Sequence, residues 1–146
     1  MQNLIKKLTK DFPDLKITSG ARFQFSPPCQ IFYPQNLKEH TNSQNKLLLL
    51  HELGHSLIHL NDYSTDIELL EIEALAWSKA HKLCKKYEVE YDEDFAEDCL
   101  DSYRDYLHSS SLCKNCQLSG YQDNSGIYHC PLCGLSWNNQ KTPHFD

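Results

Sequence analysis

Glycine and proline are scarce in this chain, 5 and 6 residues among 146, and methionine occurs once. That scarcity argues against a collagen-like or low-complexity chain, and 40% hydrophobic with 11% aromatic residues is the composition of an ordinary globular protein. Long apolar runs are missing as well. The run Leu47 to Leu50 is far shorter than the ~20 residues that span a bilayer, so no membrane association is expected. Positive charge is in deficit, with 14 Lys+Arg against 20 Asp+Glu and a formal net charge of -6, which leaves general nucleic-acid binding little electrostatic support. The opening MQNLIKKLTKDFP places Leu4, Ile5, Leu8 and Phe12 on one helical face and lysines on the other. No apolar h-region or small-residue cleavage site follows it, so a cytoplasmic address is expected rather than secretion. Against these absences stand 7 Cys and 8 His. Where thiols stay reduced, paired cysteines hold metal more often than they form disulfides.

The pattern along the chain is that of an α+β protein. The first helix should stop at Phe12-Pro13, because the residue before proline disfavours the helical region. Leu15, Ile17, Phe23, Phe25, Ile31 and Tyr33 alternate with polar residues, broken at Ser19-Gly20 and Ser26-Pro27-Pro28, which predicts two or three short strands. Lys38 to Asn45 reads as a loop. Helices are expected over Gln44–His59, with Asn61 as its C-cap, over Asp66–Tyr87, and over the acidic stretch Asp92–Leu107. The acidic stretch lacks the alternating loop and central glycine of an EF-hand and reads as a solvated face. Ser109-Ser110-Ser111 reads as a linker, dividing the chain into residues 1–108 and a cysteine-bearing segment, 109–146.

His51-Glu52-Leu53-Gly54-His55 is an HExxH sequence within a helical pattern. Residues four apart lie on one helical face about 6 Å apart along the axis, so both imidazoles can reach one ion while Glu52 points toward the open coordination position. Two histidines plus a third protein ligand leave room for a water whose pKa falls toward ~7, and Glu52 is then the general base. Composition alone gives roughly 0.03 accidental matches to this motif. The surrounding leucines lower that further, since burying two His and a Glu among them is costly without a partner.

The third ligand should come from the following helix. His59 lies eight residues beyond His51, about 12 Å of rise, so a straight helix cannot bring it to the same ion. Glu71 and Glu73 compete for the role. Glu73 shares a stripe with Ala76, Trp77, Ala80 and Cys84, whereas Glu71 aligns with the more mixed Leu75, Ser78 and Lys82, so Glu73 is preferred.

HELGHSLIH at 51–59 followed by EIEALAW at 71–77 resembles the ImmA/IrrE group of metallopeptidases, including phage and mobile-element members that share the patterns around Lys6-Lys7-Leu8, Phe12-Pro13 and Ile31-Phe32-Tyr33. The resemblance spans residues 1 to about 107. It implies a small zincin-like fold of the gluzincin type, with a glutamate ligand on the second helix; the spacing from His55 to Glu73 suits that type. It also implies a narrow protein substrate, such as a repressor or other transcriptional regulator, and a sheet whose edge strand holds the peptide beside the zinc. Ile31-Phe32-Tyr33 is the expected edge. The Leu-Leu-Met-Pro continuation common in the family is replaced here by Ser78 to Tyr87.

Cys113-Lys-Asn-Cys116 and Cys130-Pro-Leu-Cys133 form two CxxC pairs separated by thirteen residues. Two such knuckles close a tetrahedral site with no open position, the pattern of a structural zinc ribbon. Gly134 suits a turn with positive φ, and Tyr121, Ile127, Tyr128, Leu135 and Trp137 are candidates for a small core. His129 is a substitute ligand only if a cysteine fails, while Cys29, Cys84 and Cys99 read as inert thiols. The expected protein is therefore a metallopeptidase with one catalytic zinc on His51, His55 and Glu73 and one structural zinc on the four cysteines. Two alternatives are a DNA-associated protease resembling the SprT group, with a third histidine such as His59 or His81 as ligand, and a non-catalytic zinc-binding adaptor.

Overall fold

The computed structural model describes residues 1–58 and 62–138, and in them the chain is a mixed α+β protein. Helix α1 (Gln2–Asp11) precedes three strands, β1 (Lys16–Gly20), β2 (Gln24–Ser26) and β3 (Gln30–Pro34). Three helices follow, α2 (Asn42–Ser56), α3 (Asp66–Tyr87) and α4 (Glu93–Ser111), and then three two-residue strands, β4 (Tyr121–Gln122), β5 (Tyr128–His129) and β6 (Ser136–Trp137).

The first sheet has the order β1-β3-β2, with β1 parallel and β2 antiparallel to β3. Ile31-Phe32-Tyr33 therefore forms the centre of the sheet, not its edge, and the edges are β1 and β2. Alternation of apolar residues marks a strand but carries no information on its neighbours. The burial does: Ile31 is wholly enclosed, while all three residues of β2 are only partly covered.

Helix α2 starts earlier and ends earlier than its apolar pattern suggests. Thr41 and Gln44 form a capping box, which draws the polar residues Asn42 and Ser43 into the first turn. The helix closes at Ser56 with Leu57 as C-cap, so Asn61 is not its cap; Asn61 and His59 lie outside the described residues. Leu47 to Leu50 and Leu53 are all buried, as four consecutive apolar positions require of a helix enclosed on every side. It packs against β2 and β3 and against α3.

Helix α3 has the expected bounds. Its start is set by a second capping box, Thr65 with Glu68, and its end by Glu88 in the left-handed conformation. Helix α4, capped by Asp92, runs through the serine triplet to Ser111, so these serines are its last turn rather than a linker. Ser109 and Ser111 donate their hydroxyls to the carbonyls of Asp105 and His108, satisfying themselves within the helix. The exposed acidic face is bridged by Arg104, which pairs with Glu97 and Asp101.

Candidate metal centres

Helices α2 and α3 bring His51, His55 and Glu73 together at their contact. The approach is close because residue 54 has no side chain: a Cβ on Gly54 would lie 2.5 Å from the carbonyl oxygen of Ala76. Ala76 is three residues beyond Glu73, so this near-contact sets the height at which Glu73 meets the two imidazoles. The His51 and His55 Nε2 atoms are 3.1 Å apart, and Glu73 Oε2 is 3.2 Å from the first and 3.3 Å from the second. Donors arranged tetrahedrally around zinc at 2.0–2.1 Å are separated by about 3.3 Å, so this triangle has the size of one face of such a site.

The cluster is set in a nearly dry environment. His51 is 0% exposed, Glu52 2% and Glu73 6%. Burial opposes ionisation of Glu73, but hydrogen bonding from His51 and His55 outweighs it and brings the carboxyl down to about 2. A carboxylate and two imidazoles sharing one buried point suit a divalent cation, and three protein donors leave a coordination position open. Trp77, one turn beyond Glu73, stacks on the His51 ring at 4.2 Å between centroids and fixes its plane. In the sequence Trp77 shares the buried stripe with Glu73 at i+4, a spacing that signals a shared face but not the contact with His51.

Glu52 is on the same turn of α2 as the histidines, and its Oε2 accepts a hydrogen bond of 2.5 Å from the backbone N–H of Phe25. In the antiparallel register Phe25 faces Ile31. Its N–H points outward from the β2 edge, toward α2, and not into the β2–β3 ladder. No sequence signal pointed to this contact, because it joins residues 27 positions apart through a backbone atom. Of the competing residues, Glu71 is exposed on the opposite side of α3, and His81 is exposed and stacks on Tyr91.

The second centre gathers Cys113, Cys116, Cys130 and Cys133, whose sulfurs all lie within 4.8 Å of one another. Cys113 and Cys133 Sγ are 3.6 Å apart, and Cys116 and Cys130 Sγ 3.4 Å. Zinc–thiolate bonds of ~2.3 Å imply sulfur separations of about 3.8 Å, so this set also fits. The two knuckles repeat one backbone design. Cys113 N donates to Leu118 O and Cys130 N to Leu135 O, while Gln117 N and Gly134 N close the turns onto the Cys113 and Cys130 carbonyls. Gln117 (φ 58) and Gly134 (φ 72) occupy the same left-handed position. The Cys133 backbone N–H leads the interactions that draw the Cys130 thiol down to about 6, toward the thiolate that binds metal.

Around this centre β4, β5 and β6 form an antiparallel sheet. Tyr128 is its buried residue and stacks on Trp137. Tyr121 does not join that core: it is 60% exposed and lies over His129. His129 is engaged by Asp123 at 2.7 Å and Ser136 at 2.9 Å, away from the sulfurs. Of the other thiols, Cys84 is buried and pushed up to about 11 by that burial, which suppresses its reactivity. No described helix is long and apolar enough to cross a membrane. No family model, no curated protein and no solved structure matches this chain.

Proposed function

We propose that the chain is a cytoplasmic zinc metallopeptidase. A zincin-like domain ending with α4 at Ser111 holds a catalytic zinc on His51, His55 and Glu73, and a zinc ribbon over the described residues 112–138 holds a structural zinc on Cys113, Cys116, Cys130 and Cys133. The observation that carries this reading is the buried triangle of two Nε2 atoms and one carboxylate oxygen, 3.1–3.3 Å on each edge, with Glu52 beside it on the same helix.

When bound at such a three-donor site, zinc supplies Lewis acidity, lowering the pKa of water toward ~7 and polarising a carbonyl. The rest of the chemistry falls to the chain. Glu52 takes a proton from the attacking water and returns it to the leaving amine, the general-base role of a carboxylate within reach of the reacting atoms. The Phe25 N–H holds one carboxylate oxygen, which restricts how Glu52 can turn. Trp77 holds the His51 ring in plane, and burial of the cluster excludes bulk water. Because β3 is the centre of the sheet, an extended peptide pairing through its backbone would have to use an edge strand, β1 or β2. The resemblance to the ImmA/IrrE group supports a specific regulatory protein, such as a transcriptional repressor, as substrate.

One observation favours a second reading, a non-catalytic metal-binding adaptor: the Glu52 carboxylate is already engaged by a backbone donor. The two are separated by comparing new protein N-termini in cells producing wild type or Glu52→Gln. The peptidase reading expects a small set of cleavages with wild type that disappear with Glu52→Gln while metal content stays at two. Identical N-termini in the two, with both metals bound, would leave the adaptor.

A further inference from the structure

The two metal centres are joined by a clamp at the first turn of α3. Asp66 opens that helix and is itself buried. Its backbone N–H is one of the donors a helix start leaves without an intrahelical acceptor. The acceptor comes from the ribbon: Gln122 Oε1 at 2.8 Å. Its carboxylate also goes to the ribbon, accepting from the Tyr128 hydroxyl at 2.7 Å. Gln122 and Tyr128 are direct cross-strand partners in the β4–β5 pair, and Gln122 Nε2 is fixed in turn by the Gly126 carbonyl at 2.9 Å. At Gly126 the ribbon backbone comes so near that an added Cβ would lie 2.6 Å from Ser64 O, just ahead of α3. Trp137 completes the dock by donating Nε1–H to Ser110 O at the end of α4.

Each end of this clamp leads to a metal centre. Strand β5 ends at His129, and the next residue is Cys130, so the strand's position depends on the closed knuckle. On the other side, Glu73 lies seven residues after Asp66, two helical turns and about 10 Å along the axis, on nearly the same face. Helices transmit a displacement at one end as a rigid shift, and a ligand side chain is sensitive to shifts below an ångström.

We propose that Asp66, Gln122 and Tyr128 are positioning residues through which the metal-loaded ribbon holds α3 in the register that presents Glu73 to His51 and His55. Occupancy of the four-cysteine centre then raises the metal affinity of the first centre, and by linkage the reverse holds as well. This rests on reading the His51/His55/Glu73 cluster as a metal site, and it does not depend on the reaction performed there.

Cobalt tests it in the full chain, because thiolate-to-cobalt charge-transfer bands report the cysteine centre separately from the weaker bands of a histidine–carboxylate site. Cobalt affinity of the first centre is measured by chelator competition. Cys130→Ser/Cys133→Ser should lower it by about tenfold or more, within the range of outer contacts on metal ligands. Tyr128→Phe and Gln122→Ala should lower it about three- to tenfold with the thiolate bands and helical circular dichroism intact. Tyr121→Ala, on the exposed ribbon surface, should leave it unchanged. First-centre affinity within twofold of wild type in both Tyr128→Phe and Gln122→Ala would overturn the clamp even if the double cysteine variant fails to fold. Wild-type protein that takes cobalt only on thiolates would overturn the metal reading of the first centre, and the clamp with it.

Discussion

The two candidate metal centres have donor spacings of similar size on opposite foundations. His51, His55 and Glu73 are mounted on helices whose neighbours, Leu47 to Leu50, Leu53, Ala76 and Ala80, are enclosed by protein side chains. The four cysteines sit in two turns beside strands of only two residues, with Tyr128 as the main buried side chain of that sheet and Leu132 at a knuckle tip 71% exposed. Where a core exists, a metal adds chemistry to a structure that already stands. Where it does not, metal binding is itself the folding free energy.

The largest expected effect breaks the ribbon. Cys130→Ser removes a buried candidate ligand from a cluster of a kind whose metal-binding free energy is on the order of 10 kcal/mol in small zinc modules. Limited proteolysis should then cut within residues 112–138, while circular dichroism retains α1 to α3. Equal protease resistance before and after the substitution would show that the ribbon has an adequate core of its own.

Glu73→Ala comes next, and it tests the other half of the contrast. Metal content should fall by one ion and affinity at the first centre by more than the roughly hundredfold upper range of an outer contact, while the helical signal persists. A loss of fold comparable to that in Cys130→Ser would erase the distinction between the two centres.

Gly54→Ala probes the helix contact that carries Glu73. A Cβ 2.5 Å from the Ala76 carbonyl forces α2 and α3 apart, at a cost of about 1–3 kcal/mol in denaturant unfolding and with weaker metal binding at the first centre. Unchanged stability would mean that the helices separate freely.

The smallest effect lies at the far end of α3, where Asp11 accepts from the Tyr87 hydroxyl at 2.7 Å and pairs with Lys86 at 2.9 Å. The Tyr87 hydrogen bond leads the interactions that hold the Asp11 carboxyl below its usual 3.8. A depressed carboxyl pKa contributes stability above the unfolded value, and that contribution is lost as pH falls through the folded one. Asp11→Asn should therefore lower the melting temperature slightly at neutral pH and not at all in strong acid. A difference that grows toward acid would have the wrong sign.

Much of the candidate site was legible because its chemistry is encoded at short range. HExxH and CxxC spacings are properties of one helix turn and one knuckle, and Thr65 with Glu68 marks the start of α3 from four adjacent residues. Glu73 over Glu71 was readable one step further, from helical periodicity. Strand order was not, since Ile31 at the centre and Phe25 at the edge show the same alternation. Nor was the end of α4, because serines that satisfy their hydroxyls on the preceding turn look in sequence like a linker.

By itself the sequence determined the donor types, their local spacing and the helices that carry them, because those depend on contacts within a few residues. Only the tertiary structure decided that Gly54 meets Ala76, that Phe25 holds Glu52, and that the ribbon docks on Asp66. Those are contacts between segments 22 to 62 residues apart, and their geometry follows from how whole elements pack rather than from any one stretch of chain.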